Sequence, residues 1–274
     1  MFNVNMSFSG HLFPFRYLKA VVYIFQVLCL LFFQSHGQTE ADLGPCYSLK
    51  SLMDLFNRPE YISLPAVHAL MEAYNTNCEI LVRKNPSPKA MLLIVVEGTK
   101  RRKRFIIANK LARAIKGHIL INPPEGFERM RFSMNFSMEL KRAYHSLCLY
   151  ATANRARQYL AMNHVIISGY WFDQAAFVIV KKYYPNFPQP SSPLWKWPKD
   201  LLVPDLTFYI DDSEPPSFRR KNDNNIAEQM REVYKRWSYP KVVPILNTTN
   251  YNVILREMIA HIDMYQHRLA KEPL

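Results

Sequence analysis

Glycine is scarce in this chain, with 7 residues in 274. Proteins that wrap phosphates in backbone amides draw on glycine, because it enters the unusual conformations of such loops at little cost. So few leave little material for a glycine-rich cradle. Acid is also short: 22 Asp and Glu face 35 Lys and Arg, a formal net charge of +13. That balance favours anionic partners or surfaces, and it bears on association rather than on fold. Cysteine is limited to four residues, and one of them, Cys29, lies within an N-terminal apolar run. Loss of that run would leave Cys46, Cys78 and Cys148, an odd number. A Cys46–Cys78 disulfide tying down the N-terminal region, with Cys148 buried in a helix, and three free buried thiols are both compatible with this count. The apolar run itself, Ala20 to Phe33, has 14 residues, fewer than the roughly 20 that cross a bilayer as a helix. No internal repeat is visible.

What is present begins with a leader. Arg16 and Lys19 precede the run, and Ser35 and Gly37 supply small residues for a cleavage site before Gln38. This is the layout of a secretory signal peptide over residues 1–37. An uncleaved signal anchor and a mitochondrial presequence are the alternatives, the latter disfavoured by the shortage of arginine and of amphipathic pattern. The sequons at Asn135 and Asn247 are compatible with secretory passage, though such triplets also arise by chance. Beyond the leader, 49% apolar residues and 19 prolines describe a globular chain. Residues 38–89 read as an extension with helices over Leu49–Phe56 and Leu64–Tyr74, a short strand at Glu79–Val82 and a linker at 85–89.

The stretch around which the remainder is organised is Met91 to Ile115. Met91 to Val96 is a short, β-branched apolar run of the kind buried on both faces in a parallel sheet. Glu97-Gly98 signals a turn. From Lys103 to Ile115 apolar residues recur at helical spacing, with Gly117 as a stop. In this setting a phosphate-binding loop reads GxxxxGK[ST], the glycines exposing amides, the lysine spanning phosphates and the hydroxyl holding magnesium. Here the frame reads Gly98, Thr99, Lys100, Arg101, Arg102, Lys103, Arg104, Phe105. Only the first glycine stands in place, and Phe105 occupies the hydroxyl position.

Further strands are expected at His118–Ile121, Val165–Ile167, Leu206–Ile210 and Val242–Leu246. Between them lie helices at Ser137–Met162, Gln174–Tyr184 capped by Asp173, Asn225–Trp237 and Val253–His267, and an extended surface loop at Tyr184–Pro198. Strands alternating with helices of these lengths give an α/β protein: a five-stranded parallel sheet with helices on both faces, in three layers.

Five pieces in this order carry a family resemblance: Glu97-Gly98, Asn122-Pro123-Pro124, Lys141 to Leu147, Tyr170-Trp171, and Trp197 to Leu206, the last being the most specific. Together they resemble the thymidylate kinase family over residues 90–270. The resemblance implies a P-loop NTPase-like fold, phosphoryl transfer from ATP to a pyrimidine nucleoside monophosphate, magnesium, and an Asp-Arg pair after the third strand. It also implies an arginine-bearing lid and a homodimer. Against that pattern the chain has Lys100 for an aspartate, Ser168-Gly169 for Asp-Arg, and a shortened lid between Ser213 and Asn225 with Arg219 and Arg220. Phosphoryl transfer is mostly positioning and charge stabilisation, so losing the positioning groups together removes most of the catalysis. The expectation is therefore a non-catalytic binding or interaction module with no cofactor. ATP and Mg2+ enter only if the alternative, an active nucleoside monophosphate kinase, holds. Arg142 and Tyr144, with Tyr170 and Trp171, mark what the resemblance implies is the nucleotide pocket.

The basic run Lys100 to Arg104 keeps three readings: a solvated positive turn, an anion or polyanion site at the start of the helix, and, should it be accessible in the secretory pathway, a processing site resembling those of proprotein convertases. Lys103 in the place of a loop glycine requires either a left-handed backbone, at about 1–2 kcal/mol, or another path for the loop. A triad of Ser168, Asp173 and His145 or His164 lacks a strained nucleophile elbow. Asp211 and Asp212 at a strand end are too few to argue for a metal. No metal site and no nucleic-acid partner are expected; an anionic ligand, a remnant nucleotide site and a protein partner are the candidate partners.

Overall fold

A computed structural model describes residues 48–78, 91–135, 137–211, 226–246 and 250–271. Two apolar clusters organise it, one on each face of a single sheet. Strand β1 (Leu93–Glu97) is buried throughout and alternates between them: Leu93 and Val95 join one cluster, while Ile94 and Val96 join the other. That alternation is the period of two built into any strand. The strands β2 (His118–Ile121), β3 (Val165–Ser168), β4 (Leu206–Asp211) and β5 (Val242–Leu246) complete a sheet of order β2-β3-β1-β4-β5, every neighbouring pair parallel. Register is fixed by pairs such as Ile94 with Ile166 and with Leu206.

Helices α4 (Arg101–Ala114) and α8 (Tyr251–Lys271) cover one face through Ile107, Leu111, Ile254 and Met258. Helices α5 (Met138–Leu160), α6 (Trp171–Tyr183) and α7 (Ile226–Tyr234) cover the other through Leu147, Phe172 and Val233. The three-layer, five-stranded parallel fold expected from the sequence is the fold observed.

The N-terminal extension is not an appendage. Helices α1 (Leu49–Phe56), α2 (Pro59–Ile62) and α3 (Pro65–Cys78) precede the sheet, and Leu52, Phe56, Val67, Leu70 and Tyr74 belong to the same buried cluster as Leu147 and Tyr150 of α5. Asp200 ties the arrangement together: its carboxylate accepts from the Leu49 amide at 2.7 Å and from the Tyr150 hydroxyl at 2.8 Å. Asp205 likewise accepts from the Leu93 amide at 2.7 Å, pinning the start of β1. Both acids lie in the Trp197–Leu206 run, so its role here is structural.

Several expectations need correction. The helix after β1 begins at Arg101 rather than Lys103. Asp173 does not cap α6 but sits in its first turn, with Tyr170 at the cap position. The segment after Tyr184 is not an outlying loop: Trp195 and Trp197 are buried, their indole nitrogens donating to the Gln189 and Leu201 carbonyls at 2.9 and 3.0 Å. Two indoles bury more apolar area than the prolines around them can keep in solvent. Cys148 is buried and free, in α5 as expected. The leader, Cys46, the strand at 79–82, the linker, Asn247, Asp212 and the lid with Arg219 and Arg220 lie outside the described residues, as does Phe136 within the Asn135 sequon. Among the described residues no helix is long and apolar enough to cross a membrane.

Candidate functional site

In an open parallel sheet a ligand crevice forms at the carboxyl ends of two neighbouring strands whose following helices leave to opposite faces. Strands β1 and β3 meet that condition: α4 follows β1 onto one face and α6 follows β3 onto the other. A side chain occupies this crevice.

Arg104 is 6% exposed although it carries a full charge. Its Nη1 donates to the Gly98 carbonyl at 2.7 Å and lies 2.9 Å from Oδ2 of Asp173 on α6. The guanidinium thus bridges the end of β1 to the helix that follows β3. Gly169 makes room for it. With φ of +81°, this residue would bring an added Cβ to 2.5 Å from Arg104 Nη2 and 2.7 Å from Cζ. A side chain here would meet both the guanidinium and an unfavourable backbone conformation.

Glu97, the last residue of β1, closes the group. It is fully buried, and Oε1 accepts from the Tyr170 amide at 3.1 Å. Burial first, and then the charge of Asp173, push its carboxyl up to about 8; Arg104 and the amides of Tyr170 and Asp173 oppose this without cancelling it. Burial works against the charge of Arg104, but Asp173 and Glu97 outweigh it and the net shift is upward. The site is therefore an Arg104–Asp173 ion pair beside a Glu97 carboxyl that burial favours in its protonated form. Glu97 Oε2, Arg104 Nε and the Tyr234 hydroxyl are buried without hydrogen-bond partners. Burial and the charges of Glu97 and Asp173 push the Tyr234 hydroxyl well upward.

The link from β1 to α4 is three residues long, Gly98, Thr99 and Lys100. Lys100 is the N-cap, with no side-chain cap hydrogen bond, and the Arg104 amide already donates to the Lys100 carbonyl at 3.0 Å. Lys103 is helical, with no positive φ. Of the two routes open to a residue with a β-carbon, the chain takes the other path and the helix runs through the frame. A phosphate loop presents successive unbonded amides to one anion. Here most of the frame, from Arg101 to Phe105, is helix, whose Arg104 amide is already bonded within the first turn. The basic run is accordingly the opening turn of a helix. A processing protease needs an extended, exposed segment, which a helical Arg101–Arg104 with a buried Arg104 does not provide.

The residues present do not fit a magnesium triphosphate. Phe105 offers no oxygen, the frame is largely helical, and of the two carboxylates nearest the crevice Asp173 is paired with Arg104 while Glu97 is fully buried behind it. Among the described residues no group of three or more potential metal ligands gathers.

Residues tied by resemblance to a nucleotide pocket are mostly sealed in the core. Tyr144, Tyr170 and Trp171 are at most 2% exposed. The Tyr144 hydroxyl donates to the Phe127 carbonyl at 2.8 Å, and that of Tyr170 to the Leu202 carbonyl at 3.2 Å. Arg142 is half-buried on α5. Ser168 does line a cavity of about 450 Å³, shared with Arg101, Arg102, Phe105, Ile121 and Asn122. The imagined triad does not assemble: Asp173 holds Arg104, and His164 Nδ1 accepts from the Leu92 amide at 2.9 Å. Asp211 pairs with Arg231 at 2.8 Å.

The buried Glu97 and Arg104, with the partly exposed Asp173, were not singled out as a group by sequence reasoning. One signal was available. Arg104, Ile107, Ala108 and Leu111 share one helical stripe, and a charge heading an apolar stripe needs a buried partner.

No known family profile matches the chain, and no curated protein matches it. Among solved structures, the chain is similar to the thymidylate kinase of Candida albicans, with 13% identity and a TM-score of 0.46 over 65% of this chain and 94% of that one.

Proposed function

We propose that this chain is a nucleoside monophosphate kinase-like protein that has lost phosphoryl transfer and acts as a binding or interaction module, its motifs resembling those of the mitochondrial UMP/CMP kinase. One observation carries the reading: the Arg104 guanidinium sits in the crevice between β1 and β3, tied to Gly98 and Asp173. A cation built into the fold takes the place where a phosphate chain and its metal would need open amides and free oxygens. Lys103 at the second glycine position, Phe105 at the hydroxyl position and Ser168-Gly169 at the Asp-Arg position point the same way.

On this reading no cofactor is required, the partner is anionic or a protein, and the leader directs the chain to the secretory pathway. N-terminal sequencing of secreted material tests that route. The competing reading is an active UMP, CMP or dTMP kinase in which Arg104 swings out to meet the phosphates. Guanidinium binds phosphate well, but leaving the crevice would break its contacts with Asp173 and the Gly98 carbonyl.

The deciding experiment is thermal denaturation with ATP, with and without Mg2+, followed by an assay for phosphorylation of UMP, CMP and dTMP. The proposal expects no metal-dependent stabilisation, whereas ligand at about a hundred times its Kd would add about 2.7 kcal/mol. Magnesium-dependent turnover would overturn it.

A further inference from the structure

The carboxyl edge of the sheet carries a second feature that the occupied crevice does not use. Arg101 and Arg102, in the first turn of α4, are exposed and form part of the wall of the cavity of about 450 Å³. The segment after β2 and the first turns of α5 reach the same edge, because β2 runs parallel to β1 and α5 runs back from it. They bring Arg129, Arg131 and Lys141. On α5, His145 is held down to about 4 by burial, and then by the charges of Arg131, Lys141 and Arg101. Cations from three separate elements therefore stand within electrostatic reach of one imidazole.

Opposing acid is sparse. Among the described residues, Glu139 is engaged by Arg58 and Tyr61, and Asp173 by Arg104, which leaves Glu125 and Glu128 beside these cations. Among the described residues, Arg101, Arg102, Arg129 and Arg131 form no ion pair. Large apolar side chains are interleaved with them: Phe132 is 78% exposed, Met138 46%, Phe105 41% and Ile121 37%.

We propose that this edge docks on an anionic phospholipid membrane, Arg101, Arg102, Arg131 and Lys141 meeting the headgroups while Phe132 and Met138 enter the boundary between headgroups and acyl chains. Two independent properties select this occupant. Clustered cations without matching acid complement an anionic leaflet. Exposed phenyl and aliphatic groups among them need an apolar medium, which a sulfated polysaccharide lacks; aliphatic Met138 and Ile121 also add nothing to base stacking on a nucleic acid. The inference does not depend on whether phosphoryl transfer has been lost, but it requires a compartment with an anionic leaflet, which fits the mitochondrial alternative for the leader better than release from the cell.

Flotation of the full chain with vesicles tests it, comparing phosphatidylcholine alone with phosphatidylcholine containing roughly one third phosphatidylserine. Neutral vesicles give the baseline contributed by the N-terminal apolar run. Added phosphatidylserine is expected to raise binding, and each neutralised cation to weaken it about five-fold, so R101Q/R102Q/R131Q loses on the order of a hundred-fold. F132S is expected to lower the part of binding that survives high salt, where surface charges are screened. All four positions are exposed, so unchanged melting temperatures verify that the variants remain folded. Equal binding to both vesicle types would overturn the proposal, as would a triple variant that binds like the parent. Salt-sensitive capture on heparin or single-stranded RNA, with vesicle binding untouched by F132S, would assign the edge to a soluble polyanion and would equally overturn it.

Discussion

At the scale of single residues the molecule turns on the contact between Arg104 and Gly169. Replacing Arg104 by Ala leaves Asp173 without its ion-pair partner and empties the buried guanidinium site; because Asp173 is 30% exposed, water recovers part of the loss and the cost falls below the roughly 3–5 kcal/mol of a fully buried pair. Gly169→Ala forces a β-carbon to 2.5 Å from the guanidinium, an overpacking cost of about 1–3 kcal/mol, with a further ~1 kcal/mol for a β-carbon in the left-handed region. In the Arg104→Ala background the first of these disappears, so the double variant is expected to lose less stability than the sum of the two singles. Urea midpoints of the four proteins measure this, and strict additivity would contradict the contact. Cys148 follows the same logic of burial: its thiol is pushed up to about 12 by burial despite its hydrogen bond with Tyr144. It lies in the core away from solvent, as the helical pattern of the long stretch implied.

At the scale of elements, the sequence revealed most of what the backbone does locally. The existence and type of β2, β5, α1, α3 and α5 follow from apolar period, while the structure adds the caps Ser48 and Ser137, whose hydroxyls accept from the Ser51 and Leu140 amides at 3.1 and 3.0 Å. Helix α4 was misplaced by two residues because its opening turn is a run of cations with no acid, a poor match to the usual charge preference of a helix start. Packing of Ile107 and Leu111 against the sheet outweighs that preference. The three helices ahead of the sheet are integral to the core, which leads to a prediction. Leu70 of α3 is completely buried, and Leu70→Ala is expected to cost about 2–5 kcal/mol and to lower a single cooperative transition in thermal denaturation. A separate early transition, with the main one unmoved, would show that these helices are an independent attachment.

At the scale of the whole molecule, two buried titratable groups set the response to pH. The Glu97 carboxyl is raised from 4.5 to about 8, so the folded chain keeps a proton that the unfolded chain has released. Its stabilising contribution is complete below 4.5 and is lost as pH rises toward about 8. His145 is lowered from 6.5 to about 4, so its contribution is present above 6.5 and is lost as pH falls toward about 4. The two oppose one another at mildly acid pH. Above 6.5 only Glu97 of these two is still titrating, and its contribution is expected to lower stability toward pH 8 with a slope approaching ~1.4 kcal/mol per pH unit. Glu97→Gln should flatten that limb in urea titrations run across the range; an unchanged slope would mean that another group is responsible.

What the amino-acid order determined alone is the alternation of strands and helices and the two-faced burial of β1, because these follow from local period and from the removal of apolar surface from water. It also determined that the frame after β1 carries Gly98 but has Lys103 and Phe105 where a phosphate loop has its second glycine and its hydroxyl, which is a matter of residue identity. Only the tertiary structure decided that Arg104 would fill the crevice. That outcome depends on Gly169 from β3's end, Asp173 from α6 and Glu97 from β1 meeting at a point where strands far apart in the chain become neighbours. A sequence states which charges exist, but the fold decides which of them are brought together away from water, where a guanidinium without a carboxylate could not remain.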